Sequence, residues 1–198
     1  MGILQSVESF LPLTVISAVG LFFLKEVMEF FKKRSEKLRK IRAYKILIAE
    51  ELQKNAWTIK QLKSLMRDIE DDSFEALTFS KNSVGEYRVY IRREDGGGGS
   101  TVLPVVHTSI FDKAVVEIAA IDSSLFEVAK VAYEHFAEVR HIRDSVITIS
   151  EDEDRAEFLK SLPFYASEKL DAAEEASKLL FKACAGTEMP KHKLRSFA

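Results

Sequence analysis

The sequence predicts an all-α protein: an N-terminal transmembrane helix running into a cytoplasmic antiparallel helical bundle, with a small β-hairpin insertion. Three observations carry that expectation. Phe10 to Leu24 is an unbroken uncharged run, FLPLTVISAVGLFFL. From Leu21 to Val84 there is neither glycine nor proline, so nothing local stops a helix. Apolar residues then recur three and four apart, first through Leu52, Ile59, Leu62, Met66 and Ile69 and again beyond Ile110.

Length and composition set the frame. The chain has 198 residues, room for one domain plus an anchor, and 46% of them are hydrophobic, enough for a core. Net charge is −2, unevenly spread: basic from Lys25 to Lys45, acidic from Asp68 to Glu75 and Glu151 to Glu157. A single cysteine, Cys184, excludes an internal disulfide and a cysteine-based zinc site. It also suits a reducing compartment.

The anchor is expected over residues 1–31. Its apolar surface comes from Phe10, Leu13, Val15, Ile16, Val19, Leu21, Phe22, Phe23 and Leu24. Fifteen helical residues rise about 22 Å against a hydrocarbon core of about 30 Å, so Val27, Met28, Phe30 and Phe31 must lengthen the span. Lys25, Lys32, Lys33 and Arg34 are placed to meet headgroups. Basic residues crowd the exit while Glu8 is the one charge before the run, so the amino terminus is expected outside and the body in the cytoplasm, at the inner (plasma) membrane. The competing readings are a buried or interfacial amphipathic helix and, after that, a cleaved signal or a core element.

The bundle is expected over residues 32–185, with helices near 10–71, 109–120, 123–148 and 151–184, and a flexible tail over 186–198. Ile41, Ile48, Leu52, Asn55 and Trp57 on the first helix are read as an interface for a second copy or a membrane-protein partner. Asn55 interrupts the seam, where a polar group fixes register. Residues 84–106 are the hairpin insertion. In EYRVYIRR, Tyr87, Val89 and Ile91 alternate against Arg88, Tyr90 and Arg92, and Thr101 to Val106 is a second β-rich piece. Gly96 to Ser100 joins them and reads GGGGS, which is also the pattern of an engineered flexible linker. Thr108 or Ser109 is expected to cap the second helix, Asp122 or Ser123 the third, and Ser150 with Glu153 the fourth. A break or kink is expected at Pro163, and a helix stop at Gly186.

No constellation points to catalysis, a cofactor or a metal. Glu138 and His141 form one Glu-x-x-His pair, but a di-iron bundle needs two such pairs and two further glutamates. Both also fall off the apolar stripe that Leu125, Val128, Ala132, His135 or Phe136, Val139, Ile142 and Val146 form on the third helix. No serine sits in a glycine elbow, and Cys184 has no histidine near it before the tail. A nucleic-acid role is disfavoured because the basic tract carries no recognised nucleic-acid-binding motif. No small-molecule substrate is indicated.

With the apolar run, the basic exit and the stretch AEELQKN (Ala49 to Asn55) in view, the layout resembles uncharacterised bacterial single-pass membrane-anchored helical-bundle proteins. The segments TSIFDKAV and HIRDSVI match the helical pair of that layout. The resemblance implies no catalytic residues, and it implies an accessory role of the phage-defence kind. The function expected is therefore a membrane-tethered adaptor, sensor or oligomeric scaffold that acts by protein contact. The alternative is a toxin-type effector whose anchors assemble and perturb the bilayer, with Ser17, Ala18 and Gly20 allowing close packing.

Overall fold

A computed structural model describes residues 13–83, 85–150 and 156–190. In chain order it has helix α1 (Leu13–Glu70), strands β1 (Phe74–Lys81), β2 (Tyr87–Arg93) and β3 (Gly98–Leu103), then helices α2 (Ser109–Ile121), α3 (Ser123–Ser150) and α4 (Ala156–Ala185). The helical-bundle character expected from the spacing is present, and the helix limits agree with it to within a few residues.

Two corrections follow. The first concerns the membrane span. Among the described residues no helix is long and apolar enough to cross a membrane. Phe10 lies outside those residues, and Lys25, Glu26 and Glu29 break into α1 soon after Leu24. The expected single-pass transmembrane helix is therefore not supported, nor is its inner-membrane topology with the amino terminus outside. The second concerns the insertion, which is a three-stranded antiparallel sheet of order β1-β2-β3 and not a hairpin. The strand missing from the expectation is β1. Its register shifts between Phe74 and Ala76, so its two buried residues, Phe74 and Leu77, lie three apart. A bulge has turned a two-residue period into one that reads as helical.

The glycine run has a structural use. Gly96 sits at φ +78° in the β2–β3 turn, where Gly96 N–H bonds Arg93 O and Arg93 N–H bonds Gly97 O, each at 3.0 Å. A Cβ on Gly98 would lie 2.4 Å from Ile91 O, so the close approach of β3 to β2 requires glycine there.

The chain divides into two compact units, residues 1–43 and 44–198, with α1 running through the boundary. In the first, every residue from Val15 to Lys40 is exposed. This length of helix has no core of its own. The second unit holds the core. It is built from Ile48, Leu52, Ile59, Leu62 and Leu65 of α1, Val89 and Leu103 of the sheet, Ile118 of α2, Phe136, Val139 and Ile142 of α3, and Leu170 and Leu180 of α4. Helices α3 and α4 pack along one another. Of the break or kink expected at Pro163, the break is absent: α4 continues through Pro163 without ending. Its end is the expected one: Gly186, at φ +72°, donates its N–H to Lys182 O at 2.9 Å. The box expected at Ser150 and Glu153 falls outside the described residues.

Candidate contact surface

Inside the second unit, three polar residues of α1 do the work of fastening the chain that returns from the sheet. Glu51, Asn55 and Thr58 are all buried, at 3%, 1% and 1% exposure. Their spacing of four and three puts them on one face of the helix. Asn55 Nδ2 donates to His107 O at 2.6 Å, and its Oδ1 accepts from His107 N at 2.7 Å. That pair of bonds imitates a β-bridge between a side chain and a backbone. Thr58 Oγ1 donates to Val105 O at 3.0 Å. Glu51 accepts from Ile110 N at 2.9 Å, from Phe111 N at 3.4 Å and from Tyr133 Oη at 2.6 Å.

Glu51 thereby supplies the amino-terminal cap of α2 from 58 positions upstream of Ser109. This corrects the expectation of a local cap. The Thr108 side chain makes no cap bond and donates instead to Asp112 Oδ2 at 2.7 Å. A carboxylate against the first N–H groups of a helix satisfies donors that have no partner within it and meets the positive end of its dipole. Asp122 does cap α3 locally, accepting from Leu125 N at 3.0 Å. That bond, with help from Ser124, holds its carboxyl below the usual range.

The residues expected at an interface are therefore mostly used by the chain itself. Ile48 and Leu52 are fully buried in its own bundle, and Asn55 belongs to the ladder just described. Trp57 is half-buried, and its Nε1 is buried without an acceptor among the described residues. Ile41 is half-buried at the start of the packed length. The Glu-x-x-His pair meets a tyrosine: Tyr165 Oη donates to Glu138 Oε2 at 2.8 Å, and the His141 ring stands edge-on to the Tyr165 ring. Among the described residues no group of three His, Cys, Asp or Glu side chains is arranged to hold a metal.

An open groove of about 770 Å³ lies between α1 and α4, with Ile59, Met66 and Leu170 on its floor. Lys63 crosses it, reaching Asp171 and Glu174 at 2.5 Å each. Burial lowers the Lys63 pKa, but these two bonds outweigh it and leave it raised. The crossing cation ties the two walls together.

The surface left over is on α1 before Ile41. Val15, Ile16, Val19, Leu21, Phe22, Phe23 and Leu24, expected to meet lipid, are exposed by 41–67%, and Val27, Met28, Phe30 and Phe31 extend the series. Leu13 opens the helix. Lys25 lies within this length and pairs with Glu29 at 3.9 Å. Lys32, Lys33 and Arg34, expected at headgroups, are exposed just beyond Phe31. The apolar residues encircle the helix at 21–24 and narrow to one broad face at 27–31, where Lys25, Glu26, Glu29 and Lys32 take the other side. These side chains form an extended apolar feature left uncovered among the described residues. Comparison with protein families, curated proteins and solved structures finds no match.

Two weak acids in the second unit, the buried Tyr133 and the half-buried Cys184, give a pH-dependent expectation. Burial raises the Tyr133 pKa, and its bond to Glu51, which needs the phenolic proton, raises it further. Burial likewise pushes the Cys184 thiol from 9.0 up to about 11, against the pull of Lys45. Folded-state values above the unfolded ones mean that the unfolded chain loses these protons first, so stability falls as pH rises. The urea midpoint should decline from about pH 9 towards pH 11, and the decline should be shallower in Cys184→Ala and Tyr133→Phe. A midpoint level across that range would contradict the shielding of both groups from water.

Proposed function

We propose that this chain works by protein contact, as an adaptor, sensor or oligomeric scaffold, with the apolar length of α1 from Val15 to Leu38 as its contact surface. The observation that supports this most is the exposure of twelve large apolar side chains among the described residues of that length. Contiguous apolar surface beyond a few hundred Å² is rare on a free-standing protein and marks a place where something docks. The second unit supports the reading in a different way. Glu51, Asn55 and Thr58 fasten α1 to the strap, the segment that follows β3, and Lys63 ties α1 to α4, so these polar side chains serve architecture. The charged residues beside the apolar length, from Lys32 to Arg42, select orientation and partner more than they add affinity. Site-specific photo-crosslinking along α1 tests the reading, with protein adducts expected at its apolar positions.

A further inference from the structure

We infer that the occupant of this surface is a second copy of the same chain, its α1 lying antiparallel to the first. The inference rests on the contact reading above and adds the identity and direction of the partner. Area is the first argument. Exposure of about half or more on each of the apolar residues between Val15 and Leu38 leaves roughly 1,300 Å² of side-chain surface in water, taking about 150–250 Å² for a whole aromatic side chain. A single neighbouring helix covers about half of a surface that encircles its axis. That is roughly 650 Å² per copy and 1,300 Å² for the pair, within the range of about 1,200–2,000 Å² of a specific interface.

A second copy is also a partner of matching length and chemistry, because an isologous pair sets the same residues against each other. Ala18 and Gly20 let two helices approach, and a Cβ on Gly20 would meet nothing within 4 Å in the single chain.

Charge sets the direction. Lys32, Lys33, Arg34, Lys37, Arg39, Lys40 and Arg42 crowd the chain after Phe31, around Leu38, with Glu36 as the one acid among them. A parallel pair would hold these tracts side by side at a helix separation of about 8–10 Å, close to one Debye length at physiological salt. An antiparallel pair overlaps the apolar lengths and sends the two basic tracts to opposite ends.

The test uses the full chain with Cys184→Ala and Ser35→Cys, spin-labelled at residue 35. Sedimentation equilibrium at micromolar concentration should give the mass of two chains. For an overlap centred near Phe22, the labels should stand roughly 40 Å apart, thirteen residues from the centre on each copy. Phe23→Asp with Phe30→Asp should return the monomer mass with unchanged helicity. A wild type that sediments as a monomer overturns the inference. If that monomer co-sediments with phosphatidylglycerol vesicles, the surface belongs to lipid and the contact reading falls too. If it instead gives photo-adducts to another protein, the contact reading stands without the second copy. A dimer with labels within roughly 20 Å is parallel and overturns the stated direction.

Discussion

Glu51→Ala should destabilise the chain by roughly 3–5 kcal/mol, the largest effect expected of any single polar substitution here. The carboxylate is 3% exposed and is the acceptor for three donors that come from two other helices. Removing it leaves the Ile110 and Phe111 N–H groups and the Tyr133 hydroxyl without an acceptor in a buried place. Each such orphan costs about 1–3 kcal/mol, and water entering the space recovers part of that. At about 2–4 °C per kcal/mol for a chain of this size, thermal unfolding should move down by roughly 10 °C. Glu51→Gln keeps one acceptor and should cost less. A loss below about 1 kcal/mol for Glu51→Ala would mean that the three bonds contribute little, and that the strap is held by Asn55 and Thr58 without it.

Phe136→Ala should cost a comparable 3–5 kcal/mol by a different route. Phe136 is fully buried and meets the Tyr133 ring edge-on, with centroids 5.2 Å apart and planes at 86°. Tyr133 in turn stacks on Phe111 at 4.0 Å. Truncation removes the transfer energy of a whole ring and leaves a cavity beneath Tyr133. The hydroxyl that bonds Glu51 then loses the packing that aims it. For that reason Phe136→Ala and Glu51→Ala should not add: residues in one contact network couple by about 0.5–3 kcal/mol, and the double variant should lose less than the sum. Denaturant unfolding of the four species measures this. Strict additivity would show that ring packing and the Glu51 bond are independent.

These two residues also mark where sequence reasoning reached and where it stopped. Phe136 lies on a regular apolar stripe with Leu125, Val139, Ile142 and Val146, and such a stripe is legible because helical burial repeats every three or four residues. The three later helices were readable for the same reason. Glu51 is different. It is three residues from Ile48 and four from Asn55, so its place beside the seam was visible as spacing. What it would touch was not, since its partners come from 59 to 82 positions away. The local caps at Thr108 and Ser109 were the sequence-level alternative, and they lost to that distant carboxylate. The bulge in β1 hid a strand by giving Phe74 and Leu77 a helical separation. At the other end, the uncharged run to Leu24 was plain to read, but hydropathy reports only that a surface avoids water. It does not name the neighbour that covers it.

That neighbour is the centre of the account, and one measurement addresses it most directly. A photoreactive amino acid is placed at Phe23 of α1 in the full chain, and in a second sample at Phe164 of α4, which is 92% exposed but lies in the second unit, outside the apolar length of α1. Both are irradiated in expressing cells, and the adducts are identified by mass. The account predicts a discrete protein adduct from Phe23, of twice the chain mass if the partner is a second copy, and none from Phe164. Equal labelling at the two positions, or none at Phe23, would contradict the claim that the apolar length of α1 is a protein contact surface.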